Sequence, residues 1–200
     1  MVETHMTELA NTDFAGLHQQ HAAAWTSFND MLRIALLLEA LPWLTAGTVA
    51  ARSNQDLAEL ARFGHLPAVL VFTLFFTAIA GMIGLQILVN NRLNVIFYSR
   101  ALNGFRALYI DAFPSVSHFL PTDPRLPLTR ERRGIMPLLC VSLTGVNGLY
   151  LGLATLNVFR DFGIWRFVAA VLVAAAMILC FLWWYWRVTA QPVLGPHHSS

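Results

Sequence analysis

Four stretches of apolar residues, each long enough to cross a lipid bilayer as a helix, constrain this chain more than any other feature. They cover residues 31–51, 66–89, 134–159 and 164–186. A helix needs about 20 mostly apolar residues to cross the hydrocarbon core of a bilayer. Charged residues make up only 12% of the chain, which is about half of their share in soluble domains. The sequence therefore predicts an all-α integral membrane protein with four transmembrane helices.

The first of these stretches is the least apolar, because it contains Arg33, Glu39 and Pro42. We interpret it as a membrane span. The alternative is an amphipathic helix that lies in the membrane interface. Residues 1–30 have helical apolar spacing and predict a cytosolic or interfacial amphipathic segment. Residues 31–200 are then expected to form the four-helix transmembrane domain.

The second apolar stretch continues beyond the length that a bilayer requires. Its helical spacing runs through Asn90 and Asn91, which predicts one helix over residues 66–110. Such a helix is on the order of 60 Å long, because each residue adds about 1.5 Å. Four prolines within residues 113–130 predict a loop after it. Residues 90–133 are therefore predicted to be a cytosolic extension of the second helix followed by a loop.

The distribution of arginine predicts the orientation of the chain. All thirteen basic residues are Arg, and seven of them lie between the second and third spans. With four spans, Arg33 and Arg187 lie on the same side as that segment, which places nine Arg on one side and four on the other. Since basic residues favour the cytoplasmic side of a membrane, both termini and the long loop are predicted to be cytosolic. The membrane that we expect is a bacterial inner membrane.

Glu39 is the residue within the spans that most needs an explanation. It lies eight positions into the first span, roughly 12 Å deep at 1.5 Å per residue. A charged carboxylate at such a depth costs about 2.5 kcal/mol or more. One interpretation is a proton or cation site. The other is a structural bond to a polar neighbour such as Asn147, or a shifted register that leaves Glu39 nearer to the surface.

Small residues at four-residue spacing predict close packing between helices. Thr144, Gly148 and Gly152 form such a series on the third span, and Ala80 and Gly84 form a pair on the second. Small side chains allow helix backbones to approach each other in lipid, where burial of apolar surface contributes little. The spacing does not distinguish a partner helix in the same subunit from one in another subunit.

A second polar group lies on the predicted cytosolic helix. Arg100, Asn103 and Arg106 follow each other at three-residue spacing. Guanidinium groups bind phosphate well, so these residues are candidates for contact with lipid headgroups or with a soluble anion. The alternative is a solvated helix face whose arginines meet headgroups without specificity.

The sequence contains no constellation of residues that indicates catalysis. Its two cysteines, Cys140 and Cys180, lie in apolar stretches without a CxxC spacing, and we expect free thiols. None of the seven histidines lies well inside a span, where a membrane haem would need one. The net charge of +2 is too small to favour nucleic acid. We therefore expect no catalytic residue, no metal site, no cofactor and no nucleic-acid partner.

Three hypotheses about function follow. The leading one is a non-enzymatic membrane protein that acts through helix–helix assembly, as a homo-oligomer or as a small subunit of a larger membrane complex. Within it, a channel-like or membrane effector with a cytosolic Arg-lined helix is one form. The second is a small proton- or cation-coupled transporter centred on Glu39. The third is an accessory subunit of a membrane redox complex.

Overall fold

The apolar stretches form long α-helices in the computed structural model of the chain. The structure describes residues 2–53, 66–112 and 135–190, and their side chains over 12–52, 66–111 and 136–189. Within these residues, four helices are long and apolar enough to cross a membrane. They are α1 (Val2–Ser53), α2 (Ala68–Ala112), α3 (Ile135–Val158) and α4 (Trp165–Ala190). The prediction of an all-helical chain with four apolar helices, consistent with a multi-pass membrane protein, is confirmed.

Helix α1 joins the predicted N-terminal segment and the first apolar stretch into one helix of 52 residues. It continues through Pro42, although proline has no backbone N–H to donate to the preceding turn. The hydroxyl of Tyr150 donates a hydrogen bond of 2.9 Å to the carbonyl oxygen of Glu39 in that turn. A side chain of α3 therefore supplies a donor beside the place where α1 lacks one.

Helix α2 is one helix of 45 residues, which confirms the predicted continuity of this segment. It begins directly after Pro67, whose carbonyl oxygen accepts hydrogen bonds from the N–H groups of Leu70 and Val71. Asparagine often ends a helix because its side chain competes for backbone groups. Here the side-chain amide of Asn91 instead donates to the hydroxyl of Ser27 at 3.1 Å, so the helix passes through this position intact.

The chain divides into two compact units, and the first contains residues 1–30 and 88–130. Its described part is an antiparallel pair formed by the beginning of α1 and the end of α2. Ser99 donates to the carbonyl of Val95 at 2.8 Å, so its oxygen accepts the 2.9 Å hydrogen bond from Nε2 of His21. The ring of Phe14 packs edge-on against that of Phe105, with centroids 6.4 Å apart.

The second unit contains residues 31–87 and 131–200. Its core combines apolar side chains of α2 and α3, with Ala46 of α1 and Met177 of α4 packed against them. A short 3₁₀-helix, Arg160–Phe162, connects α3 to α4. Gly163 follows it with φ 55° and ψ −129°, a conformation that a residue with a Cβ rarely adopts. The buried core residues are Leu70, Leu74, Ala78, Tyr150 and Ala154.

The predicted loop over residues 113–130 lies outside the described residues. So do four of the seven arginines on which the orientation argument relies, at positions 125, 130, 132 and 133. The two cysteines lie within the described part, and neither forms a disulfide bond, as predicted. Cys140 is buried, whereas Cys180 is exposed.

The close contact between α3 and α4 leads to a first prediction, for Gly148→Val. A Cβ at Gly148 would lie 2.9 Å from two carbon atoms of Ile178, whereas a Cβ at Gly145 would have no heavy atom within 4 Å. We expect Gly148→Val to lower the free energy of unfolding by about 1–3 kcal/mol through overpacking. Reversible unfolding in mixed detergent micelles measures the change.

Gly145→Val is the matched control, because it introduces the same side chain on the same helix. We expect it to be as stable as the parent protein or slightly more stable. Equal losses in the two variants would contradict the close packing of α3 against α4.

Candidate intramembrane polar site

Glu39 lies within the second unit at the place where α1 meets α3. Its side chain is half-buried, and its carboxyl group lies close enough to the Asn147 side chain to interact with it. The oxygen Oε2 is buried and makes no hydrogen bond of acceptable geometry to any described residue. The structure therefore places Glu39 and Asn147, the two polar residues that the sequence singled out within the apolar stretches, next to each other. Their side chains do not form a hydrogen bond of acceptable geometry.

Asn147 is fully enclosed, with 0% of its surface exposed. Its amide packs directly against Gly81 of α2, where a Cβ would lie 2.7 Å from Nδ2 and would overlap Oδ1. Neither amide atom has a hydrogen-bond partner among the described residues. An unpaired buried amide costs about 1–3 kcal/mol in protein mutational data. The position of Asn147 therefore depends on a glycine on the facing helix, and its polar atoms remain available for hydrogen bonding.

Two threonines lie one turn from this contact, Thr77 on α2 and Thr144 on α3. Both are 0% exposed, and neither hydroxyl has a hydrogen-bond partner among the described residues. Threonine in a helix usually donates to the carbonyl four residues earlier. Other threonines of this chain do so, at distances of 2.7–3.1 Å: Thr26, Thr45, Thr73, Thr155 and Thr189. The two buried hydroxyls beside Asn147 differ from these because they do not bond to the backbone.

A pair of aromatic residues fixes the backbone around Glu39. The indole Nε1 of Trp43 donates to the Tyr150 hydroxyl at 3.0 Å, and this hydroxyl donates to the Glu39 carbonyl at 2.9 Å. Tyr150 is buried, with 3% of its surface exposed. The two hydrogen bonds connect α1 to α3 within one turn of the Glu39 side chain. They therefore fix the depth at which the carboxyl group lies relative to Asn147.

The small residues predicted for helix packing have different surroundings. Gly148 contacts Ile178 of α4, and Gly152 lies against Ala170 and Ala174 of the same helix. The GxxxG motif is therefore used inside the subunit. On α2, a Cβ at Gly84 would have no heavy atom within 4 Å, and Ala80 is half-buried.

The arginines singled out on α2 belong to the first unit. Arg100 is exposed, whereas Asn103 and Arg106 are half-buried. The structure also shows that Arg92 stacks on Trp25, with its guanidinium carbon 5.0 Å from the ring centroid. Tryptophan and arginine in this arrangement attract each other through a cation–π interaction. The described contacts do not test whether Arg100, Asn103 and Arg106 bind an anion, so this remains a prediction.

Several residues of the polar site were not singled out in the sequence. Thr77 and Gly81 lie in an apolar stretch with no signal except small size, Trp43 resembles an ordinary interfacial aromatic residue, and Tyr150 lies in the middle of the third apolar stretch. Only the packing of three helices shows that they surround Glu39 and Asn147. Over residues 12–52, 66–111 and 136–189, no group of three His, Cys, Asp or Glu side chains is arranged to hold a metal ion.

Comparison with known proteins identifies no relative of this chain. No family model matches it, and no curated protein or solved structure is significantly similar to it. Functional inference therefore rests on the geometry and chemistry of its own residues.

The contact between Gly81 and Asn147 leads to a second prediction. We expect Gly81→Ala to lower the free energy of unfolding by about 1–3 kcal/mol, because the new methyl group displaces the Asn147 amide. Adding Asn147→Ala to this variant removes the displaced atoms. The second substitution should therefore cost less in the Gly81→Ala background than in the parent protein, which a double-mutant cycle measures.

Gly84→Ala is the control on the same helix, since a methyl group fits there without contact. We expect it to leave stability unchanged or to increase it slightly through helix propensity. If Gly81→Ala behaves like Gly84→Ala, Asn147 does not pack against α2 as described.

Proposed function

We propose that this chain is a non-enzymatic integral membrane protein that acts through helix–helix assembly, either with copies of itself or as a small subunit of a larger membrane complex. The observation that supports this proposal most directly is the uncovered outer face of α4. In the most apolar window of each helix, 11% of the residues are buried for α1 and α4, against 44% for α2 and α3. Helices α1 and α4 therefore offer most of their apolar surface to lipid or to another protein.

Exposure to lipid does not by itself favour a protein partner, because acyl chains are as apolar as leucine. The outer face of α4 has a further feature that does. Ala176 and Cys180 are both exposed and lie four residues apart, as small residues do where helix backbones approach each other. Large apolar side chains surround this pair; Leu172, Leu179 and Trp183 are each more than 60% exposed.

The inner face of α4 uses a separate set of small residues. Ala170 and Ala174 lie against Gly148 and Gly152 of α3. Helix α4 thus has two faces suited to close packing, of which the inner one is occupied within the subunit. The outer face, with Ala176 and Cys180, is the one that we propose for assembly.

We also propose that both termini and the segment after α2 lie in the cytosol of a bacterium, with the chain in its inner membrane. The length of α2 supports this arrangement. Its 45 residues correspond to about 67 Å of helix, whereas the hydrocarbon core is about 30 Å thick. The second half of α2 would then extend beyond the core, and Arg100, Asn103 and Arg106 would contact lipid headgroups on the cytosolic side.

A third prediction concerns this orientation. A cytosol-specific reporter fused after Ser200, and another inserted at Asp123, should both be active in intact cells. A periplasm-specific reporter at the same two positions should be inactive. The opposite pattern at either position would contradict the proposed topology without bearing on the contact made by α4.

The outer face of α4 leads to a fourth prediction, which uses the two native cysteines. If two copies pair through this face, the Cys180 thiols lie near each other, and mild oxidation in native membranes should join them in a disulfide-linked dimer. We expect the dimer on a non-reducing gel and its loss in Cys180→Ala. Cys140→Ala should form the same dimer, because Cys140 is buried.

Ala176→Leu provides an independent variant, since a larger side chain should separate the helices and reduce cross-linking. A Cys180-dependent adduct of different mass would indicate another membrane subunit and would equally support assembly through α4. A chain that remains monomeric while an alkylating reagent modifies Cys180 would contradict the proposal.

A further inference from the structure

We propose that Glu39 is a reversible proton-binding site in the membrane interior, and that the hydroxyl groups of Thr77 and Thr144 relay protons to and from it. This inference goes beyond assembly and does not depend on it. It rests on three observations: a carboxyl group without a nearby counter-charge, an unpaired amide beside it, and two enclosed hydroxyl groups that do not bond to the backbone.

The surroundings of Glu39 favour the neutral form of its carboxyl group. Helix α2 has no charged residue before Arg92, and α3 has none at all. The charged residues of α4 lie near its ends, and Arg33 on α1 precedes Glu39 by six residues, or about 9 Å. The titratable side chain that faces Glu39 from α3 is Tyr150, which contacts it as a hydrogen-bond donor. A carboxylate partly buried in apolar surroundings without a positive partner is stabilised by taking up a proton.

The spacing of the polar atoms favours a proton over a metal cation. Thr144 precedes Asn147 by about 4–5 Å along α3, and Thr77 precedes Gly81, the neighbour of Asn147, by about 6 Å along α2. Because α2 and α3 are antiparallel here, the two hydroxyls lie on opposite sides of Asn147 and are about 10 Å apart in depth. Hard cations require several oxygen ligands within about 2.6 Å, which oxygens so far apart cannot provide. A proton needs one acceptor at a time.

The residues are suited to such a transfer. Neither threonine hydroxyl has a hydrogen-bond acceptor among the described residues, so entering water must bridge each of them to Glu39. A bridged hydroxyl accepts a proton from water on its oxygen while releasing its own proton to the next water, so it ends as it began. The Glu39 carboxylate takes up the proton as an O–H group and later returns it to water. Asn147 can accept a hydrogen bond from the protonated acid and donate one to the carboxylate. Water is the only co-reactant, and each step moves one proton without a redox change.

Infrared spectroscopy of the full chain in phosphatidylcholine–phosphatidylglycerol vesicles tests this inference. At about pH 7, exposed Asp and Glu are ionised, so a protonated carboxyl band present in the parent protein and absent in Glu39→Gln reports on Glu39. We expect that band to shift on transfer to D₂O. Thr77→Val and Thr144→Val, which retain side-chain shape but lack the hydroxyl, should slow this exchange several-fold.

Thr73→Val is the matched control, since Thr73 donates to the Val69 carbonyl and is not enclosed. It should leave the exchange rate unchanged. All of the variants should unfold at the same midpoint as the parent protein, which shows that they are folded. In addition, Glu39→Gln should leave Cys180 cross-linking intact, which separates failure of this proposal from failure of assembly.

Three results would overturn the proposal. The first is a carboxylate band from Glu39 at about pH 7 with no protonated carboxyl band beside it, which would show that the residue is fully ionised. The second is a carboxyl band that shifts with added Na⁺, which would indicate a cation site. The third is an exchange rate that neither threonine variant changes, which would make the enclosed hydroxyl groups structural.

Discussion

The absence of water from the hydrocarbon core of a bilayer is the constraint on which the rest of this structure depends. Every backbone N–H and C=O group in that region must find its partner within the protein, which makes long unbroken helices the natural solution for a chain of this composition. The helices of this protein continue through residues that often interrupt helices in water. At Pro42 the hydroxyl of Tyr150 donates to a neighbouring carbonyl, and at Asn91 the side chain bonds to Ser27 rather than to its own backbone.

The same constraint makes the distribution of polar atoms informative. Most threonines of the described helices direct their hydroxyl groups to the backbone and thereby remove the cost of exposing them to apolar surroundings. The exceptions surround Asn147, where Thr77 and Thr144 are enclosed and unpaired. Glu39 faces the same place from α1. A group of unpaired polar atoms around a carboxyl group costs stability in a membrane, which is why we assign it a function rather than a packing role.

Close packing in lipid also separates the two faces of α4. On its inner face the alanines meet the glycines of α3, and the backbones approach closely. On its outer face a second pair of small residues lies among exposed large apolar side chains. Between its two arginines, α4 has side chains that could direct association by hydrogen bonding only near its C-terminal end. Over the rest of the helix, the shape of the surface is therefore the property that would select a partner.

The sequence alone determined the number of apolar helices, the continuity of α2 and the presence of a costly carboxyl group, because these properties depend on length and composition along a single stretch of chain. The tertiary structure decided which residues meet. It placed Asn147 beside Glu39, set Gly81 against the amide, enclosed Thr77 and Thr144, and used Gly148 and Gly152 inside the subunit. The physical reason is that lipid and protein interior are equally apolar. The apolar pattern of a membrane helix therefore does not show which of its faces turns inward, and only packing between helices fixes that rotation.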